Sequence, residues 1–570
     1  MIRGRLPDDV ATYPDPTRGV NLRKSLEDLE PGEAELMQNC YWDSDIRKRS
    51  GAARWTTVSL GMSIPYGAHK AYFSSGAIRM VAFGTNVVQV SDAGVLSTMT
   101  STLTGGTNTF FTDWSITDRS YLANGADELY YIDSNATITT LSGTNIPPTP
   151  TMVVPFSDRL FALQGRVVVV TMPRDDTQWS PITSSWAAYR GIGGSGNPTA
   201  IGLHSSSILG GAPTDQLLIF QRNTTTALTG TDFGSTVTSV TPPTGWDAVL
   251  TLIDPRIGCS SPYSVCNVPG VGTFWFTSER NVAWLPLGTS VPRLIGNSLY
   301  SYRAQILGIN DATMGALDKV LMIYHDLKLK LYLPVQGQTY STVQYWLDMR
   351  PLMENLAAVL VQPSENFPAN WSGPHLGQSI GRVWIENQSA DPERLMGVEG
   401  NALNGLMVYE LNPLGYYKDD IGPDLSPLGA STSSDIAMHY KSFFHPFGAP
   451  GYQKYLYDLL IDSSGYINFA TVTVNDLHAT LTSGYDIRNL DGSVFTNVTY
   501  STPTGYRYGN GTRYGQASAN NLGHVNYSAR SPIMPAGDAL QVEIEETAGN
   551  GYNINSIRAQ AKIQKIQPYV

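Results

Sequence analysis

Gly191-Ile192-Gly193-Gly194-Ser195-Gly196 spells GxGxxG, the spacing of a loop that cradles phosphate. A dinucleotide site needs that loop between a strand and a helix, so that backbone N–H groups at the helix start meet the pyrophosphate. Here WAAYR precedes it and Pro198 follows, with no helical pattern behind, which argues against nucleotide binding. The eight histidines are scattered, and none form an HExxH-type pair. Cys40, Cys259 and Cys266 make an odd set without a CxxC, the pattern of reduced thiols in core or loop rather than a zinc or redox motif. Asp175-Asp176, Asp419-Asp420 and Glu545-Glu546 could supply the paired carboxylates of glycoside hydrolysis. Adjacent residues in a strand point to opposite faces, however, so none of these pairs converges on one substrate. No GxSxG elbow occurs either. The expectation is therefore no catalytic residue, no cofactor-binding residue and no metal ligand: not an enzyme. One charged run stands out, Arg47, Lys48 and Arg49 in IRKRSG. It could contact DNA phosphate or a neighbouring subunit, or equally be a solvated turn entering the first strand.

Residues with so little catalytic pattern must be held by something large. At 570 residues the chain has room for two or three domains. It is 42% hydrophobic but only 15% charged, well below the ~25% typical of soluble proteins. A surface of hydroxyls and aromatics suits lasting protein contacts. The net charge of −11 makes the chain a poor candidate for tight wrapping of nucleic acid, which needs concentrated Lys and Arg, but does not exclude nucleic acid passing by. MIRGRLPDDV has no apolar leader core and no spanning stretch follows, so synthesis in the cytoplasm without membrane insertion is expected.

The elements read as mostly β. Arg159–Gln164 and Val167–Val170 flank Gln164-Gly165-Arg166, and Leu217–Phe220 and Ala227–Leu228 flank Gln221-Arg222-Asn223. Such short apolar runs around polar turns are hairpins whose strands are buried on both faces. The theme recurs from about residue 55 to 430, with Asn404-Gly405 as a further hairpin signal. Around Asp326, LKLKLYL alternates strictly and predicts one wet face. An irregular β-propeller of six or seven blades over 55–430 accounts for this, with β-sandwiches in series as the runner-up. Before it, 1–54 reads as an extended arm plus one short helix, Pro31–Trp42, opened by Pro31 with Glu33 and Glu35 in its first turn. The arm is too polar and Pro-broken to fold alone, so it should be pinned on its own propeller or on an adjacent subunit. After a Pro/Gly/Ser-rich linker at 412–435, residues 431–570 read as a C-terminal β-sandwich. Its last strand alternates, with Ile557, Ala559, Ala561 and Ile563 on one face. A Tyr/Gly/Arg loop, 505–519, is either a contact surface or simply mobile.

Taken in order, NLRKSLEDLEPGEAELMQNCYWDSDIRKRSGA, FTDWSITDRSYLANGADELYYID, RLFALQGRVVVVTMPRDDTQWSP and LLIFQRNTTTALTG resemble β-propeller proteins of bacteriophage tails. The resemblance is notably to the tail nozzle and packaged-DNA stabilisation proteins of short-tailed phages. Asn39, Arg49, Gly51, Asn124-Gly125, Arg159–Ala162, Trp179 and Leu217–Phe220 stand at the family's marked places, with Ser50 where proline is frequent. The resemblance spans roughly residues 19–300. It implies a structural virion protein made in the host cytoplasm: a homo-oligomeric ring, usually a hexamer, that extends the DNA channel. Its implied partners are tail adaptor or portal-proximal proteins, fibres or spikes, and packaged DNA that slides through without sequence-specific binding. Such a bore should carry more Asp and Glu than Lys and Arg. The alternative is a tail-tip protein that binds or depolymerises host-surface glycan.

Overall fold

The computed structural model describes residues 8–182 (without 57, 58, 62 and 101), 196–205, 215–230, 238, 248–354 (without 304 and 305), 356, 360, 369–386, 393–401, 407–420, 434–446, 453–465, 470–476, 498–499, 507–508, 512–513, 524–529, 536–537, 539–546 and 551–564. Most of the GxGxxG stretch, the Asn404-Gly405 turn, residues 421–433 of the linker and most of the 505–519 loop lie outside them.

Apolar strands that must bury both faces do so here by stacking radially. Blade 3 shows how. Its strands Met152–Phe156, Arg159–Gln164, Val167–Met172 and Asp175–Trp179 pair antiparallel in sequence order. Along Arg159–Gln164, Leu160 and Ala162 enter the apolar cluster shared with blade 2, while Phe161 and Leu163 enter the one shared with blade 4. The alternation of a strand thus feeds two cores, at about 1.5–3 kcal/mol per buried large side chain. The hairpin turn uses Gly165 at its first central position with φ +59°, which a II′ turn reserves for glycine.

Seven such blades occur among the described residues. Their innermost strands, Pro65–Phe73, Phe110–Trp114, Met152–Phe156, Ala200–Ser205, Cys266–Val268, Leu321–His325 and Ile380–Glu386, follow one another round a ring, and the last packs on the first. The fold is a β-propeller. Blade 7 takes its outer strand, Ala52–Arg54, from the N-terminal segment, which pairs with Val408–Leu411 and so ties the two ends of the ring together. Glu386 adds a second tie: its buried carboxylate accepts from Lys70 Nζ at 3.1 Å and Arg79 Nη2 at 2.6 Å, both in blade 1.

Blade 6 does not stop at four strands. Beyond Trp371–His375 the sheet continues through Gly19–Val20, Glu33–Gln38, Met438–Ser442, Leu540–Glu546, Ala470–Asp476 and Val498–Thr499. This extension faces a second sheet containing Cys40–Trp42, Ile46–Lys48, Tyr552–Gln564, Gln453–Gly465 and His524–Ala529, and Tyr13, Met37, Ile46, Tyr440, Ile544 and Ile557 fill the space between. The sandwich exists, but it is not C-terminal alone: strands from 8–48 complete it. The 1–30 arm is pinned twice: Asp8–Tyr13 pairs with Tyr552–Gln564 of the sandwich, and Gly19–Val20 pairs with Trp371 at the outer strand of propeller blade 6. In that strand Ile557 and Ala559 are buried and Arg558 is exposed, as the alternation required.

Two expectations fail. Pro31–Trp42 is not a helix but two strands, Glu33–Gln38 and Cys40–Trp42, hinged at Asn39 with φ +55°. Its flanks offer ladders on both sides, Gly19–Val20 and Met438–Ser442, and tertiary pairing overrides the modest local helix preference. LKLKLYL has no wet face either, since all of Lys328–Leu333 is buried. The lysine face is covered by aromatics, with Lys328 Nζ 4.7 Å from the Tyr41 ring centre and Lys330 Nζ 4.7 Å from that of Trp346. The turn before this strand places Asp326 at φ +51° and Leu327 at φ +57°, a conformation costing a leucine about 1–2 kcal/mol. Leu327→Gly should therefore raise the unfolding free energy by a net ~0.5–1 kcal/mol after the glycine's added chain entropy, read as a higher urea midpoint; an unchanged or lower midpoint would contradict the strain.

Candidate functional site: the propeller–sandwich cleft

The three cations of IRKRSG have internal partners. Lys48 has no exposed side-chain surface and its Nζ lies 2.5 Å from Glu546 Oε2 in the sandwich. Arg49, 1% exposed, donates from Nη1 to Asp419 Oδ1 at 3.1 Å, from Nη2 to Asp419 Oδ2, and from Nε to Asn39 Oδ1 at 2.9 Å. Gln378 Nε2 donates to the same Asp419 at 2.7 Å. Arg47, the most exposed of the three, pairs with Asp43 at 2.8 Å and Asp45 at 2.5 Å. Lys48 and Arg49 are thus corrected from DNA or subunit contacts to intrachain ties: both side chains are buried against carboxylates of the same chain.

The adjacent acids diverge as expected. Asp419 meets Arg49, while Asp420 accepts from the Arg54 backbone at 2.9 Å and from Tyr416 at 2.8 Å. Asp176 accepts from Arg119 and Tyr121, whereas Asp175 accepts from Thr177. Glu546 goes to Lys48, and Glu545 to the opposite face of the strand.

One mouth of the propeller axis is bridged. Tyr263, at the entry to blade 5, donates its hydroxyl to the carbonyls of Tyr66 in blade 1 at 2.6 Å and Thr109 at the entry to blade 2 at 3.0 Å. Blades 5 and 2 are not neighbours, so this contact crosses the centre. Phe110 stacks on Tyr263 at 4.5 Å, and the Arg382 guanidinium covers the other side at 4.0 Å. Arg382 and Lys319 share Asn108 Oδ1 at 3.1 and 2.7 Å. Nothing in the sequence singles out Tyr263, because its partners are 154 and 197 residues away.

The concave site lies elsewhere, where the blade 6 sheet passes into the sandwich. A cleft of about 460 Å³ is lined by Glu35, Leu36, Arg303, Leu307, His439 and Lys441, among others. A bulge builds it: Ala34 pairs with Ser442 and Leu36 with Lys441, so Glu35 is the extra residue, and both Glu35 and Leu36 line the cleft. Glu35 accepts from Gln541 Nε2 at 2.5 Å and lies 3.6 Å from Arg303 Nη1. Burial lowers the Arg303 pKa, and the Glu35 charge opposes that shift. On the next strands His439 faces Glu545 and Lys441 faces Glu543 across the ladder. His439 Nε2 lies 2.5 Å from Glu543 Oε1 and 3.4 Å from Glu545 Oε1, and Lys441 Nζ lies 3.1 Å from Glu543 Oε1. Sequence reading could not find this group, since it is built across strands 104 residues apart.

No protein-family model and no curated protein matches the chain. Among solved structures it is similar to the RRP9 WD40 repeats (8% identity, TM-score 0.38, covering 64% of this chain and 99% of that one). It is similar also to BBS1N in complex with ARL6DN (10%, 0.37, 64% and 98%) and to the N-terminal domain of Nup159 (9%, 0.35, 67% and 100%). Likeness at this level adds nothing to the fold described above, and the β-propeller assignment rests on the closed ring of blades.

Proposed function

We propose that this chain is a structural protein of a phage virion tail, a nozzle or hub ring of identical copies. In this reading it extends the DNA channel, retains packaged DNA and joins adaptor or portal-proximal proteins to fibres or spikes. The supporting observation is that the ordered motif residues occupy joints of the scaffold. Asn39 Oδ1 accepts from Arg49 and from the Leu376 backbone, and Asn39 Nδ2 donates to the Ala437 carbonyl at 2.7 Å. At Gly51 a Cβ would stand 1.8 Å from the Lys418 carbonyl. Asn124 Oδ1 organises the Asn124-Gly125 turn through the Ala126 and Asp127 N–H groups, Arg159 Nη1 ties to the Thr171 carbonyl at 2.8 Å, and Trp179 is fully buried with its indole N–H on the Asp176 carbonyl. Residues that mark the pattern and hold joints suit a part whose work is mechanical. With Tyr263 across its axis a single propeller offers no bore at that mouth, so a conduit in this reading runs between copies. The net charge of −11 suits a wall over which a duplex slides without ion pairing.

The test is the mass of the purified chain by light scattering, negative-stain images, and antibody labelling of virions. A ring of copies, with label at the tail, is expected. A monomer that binds or cleaves capsule glycan would overturn the proposal in favour of the tail-tip alternative.

A further inference from the structure

We propose that His439, Glu543 and Glu545 form a binding site for a divalent transition-metal ion, with an open coordination position toward the propeller–sandwich cleft. The inference stands apart from the tail reading, because it uses only the local geometry. Glu543 and Glu545 are two apart on one strand, so both carboxylates leave the same face, and His439 joins them from the neighbouring strand. The three donor atoms lie within 4.8 Å of one another. Ligands at ~2.0–2.2 Å from a tetrahedral Zn²⁺ are about 3.3–3.6 Å apart. The His439 Nε2 to Glu545 Oε1 distance of 3.4 Å already meets this, and the 2.5 Å separation from Glu543 Oε1 must open by about 1 Å, within the reach of a glutamate rotamer.

One imidazole and two carboxylates suit Zn²⁺ or Mn²⁺ better than a soft or a purely oxygen-seeking ion. Glu543 is 15% and His439 19% exposed, so the set is held by its surroundings while Glu545, 49% exposed, admits the ion. His439 also lines the cleft, whose volume leaves space for the remaining ligand, water or a donor atom of another molecule. Three protein donors with one position open is the arrangement of zinc sites that take an exchangeable ligand. Lys441 bears on the same Glu543 oxygen at 3.1 Å. Its ammonium competes with the metal for that carboxylate, and this gives the proposal a sign that an ordinary ion-pair cluster would not share.

The experiment is calorimetric titration of the full chain, stripped with EDTA, with ZnCl₂. One Zn²⁺ per chain is expected. His439→Ala and Glu545→Gln should each weaken uptake, His439→Ala by at least about 100-fold, beyond the 10–100-fold typical of residues that only support a ligand. Lys441→Met should strengthen it by roughly tenfold, the equivalent of 1.4 kcal/mol of relieved repulsion. Thermal melts of the apo proteins accompany each titration; should His439→Ala fail to fold, the exposed Glu545→Gln and the Lys441→Met variants carry the test. Absence of saturable uptake at one site per chain would overturn the proposal. So would uptake unaffected by Glu545→Gln, or weakened by Lys441→Met.

Discussion

Arg49→Met is expected to destabilise the chain by about 3–5 kcal/mol, the cost of leaving a buried carboxylate without its cation. Asp419 is 3% exposed, and its oxygens take both Arg49 terminal nitrogens and Gln378 Nε2. Gln378 is neutral and cannot offset the charge. The guanidinium also holds the Asn39 amide oxygen, and Asn39 in turn reaches the Ala437 carbonyl, so one residue connects blade 7, the outer strand of blade 6 and the entry to the sandwich. Urea unfolding followed by tryptophan fluorescence measures the loss. Adding Asp419→Asn removes the stranded charge, so the double variant should recover at least half of it. A loss below about 1 kcal/mol for Arg49→Met, the size of a surface pair, would mean that the tie contributes little.

Lys330→Met is expected to act in the opposite direction, and only in part of the pH range. Lys330 is 2% exposed, and burial, helped by nearby Lys328, lowers its pKa from 10.5 to about 7. Its Nζ has His325 Nδ1 at 3.5 Å and the face of Trp346, and the Asn412 amide oxygen turned toward it accepts at 3.1 Å. Between pH 7 and 10.5 the unfolded chain binds this proton and the folded chain does not, so wild-type stability rises with pH through that window. Below pH 7 the folded state carries the buried charge at full cost. At 1.36 kcal/mol per pKa unit that cost is at most about 5 kcal/mol. The methionine variant should therefore exceed wild type most at pH 6, with the gap closing towards pH 10.5. A gap that stays constant from pH 6 to 10 would show that Lys330 keeps an ordinary pKa.

The propeller was legible because its evidence is local. Apolar runs of four to six residues around a Gly or Asn turn state that a hairpin forms, and a run as apolar as Val167–Val170 states that both its faces are covered. The alternation of Ile557 and Ala559 likewise reported one wet and one buried face. LKLKLYL carried the same signal and the opposite outcome, because period reports only that two faces differ. Whether the polar one meets water depends on what packs over it, and here Tyr41 and Trp346 do. Pro31–Trp42 carries acceptable helix signals, but caps and i,i+4 pairs are worth about 1 kcal/mol or less each. A strand there joins partners on both edges, one of them more than 400 residues away in the chain, and that long-range pairing wins. The same reason hid the cleft and the roles of Lys48 and Arg49. Residue types show which side chains carry charge, but a charge's partner across the fold, Glu546 or Asp419, is chosen only when distant strands come into register.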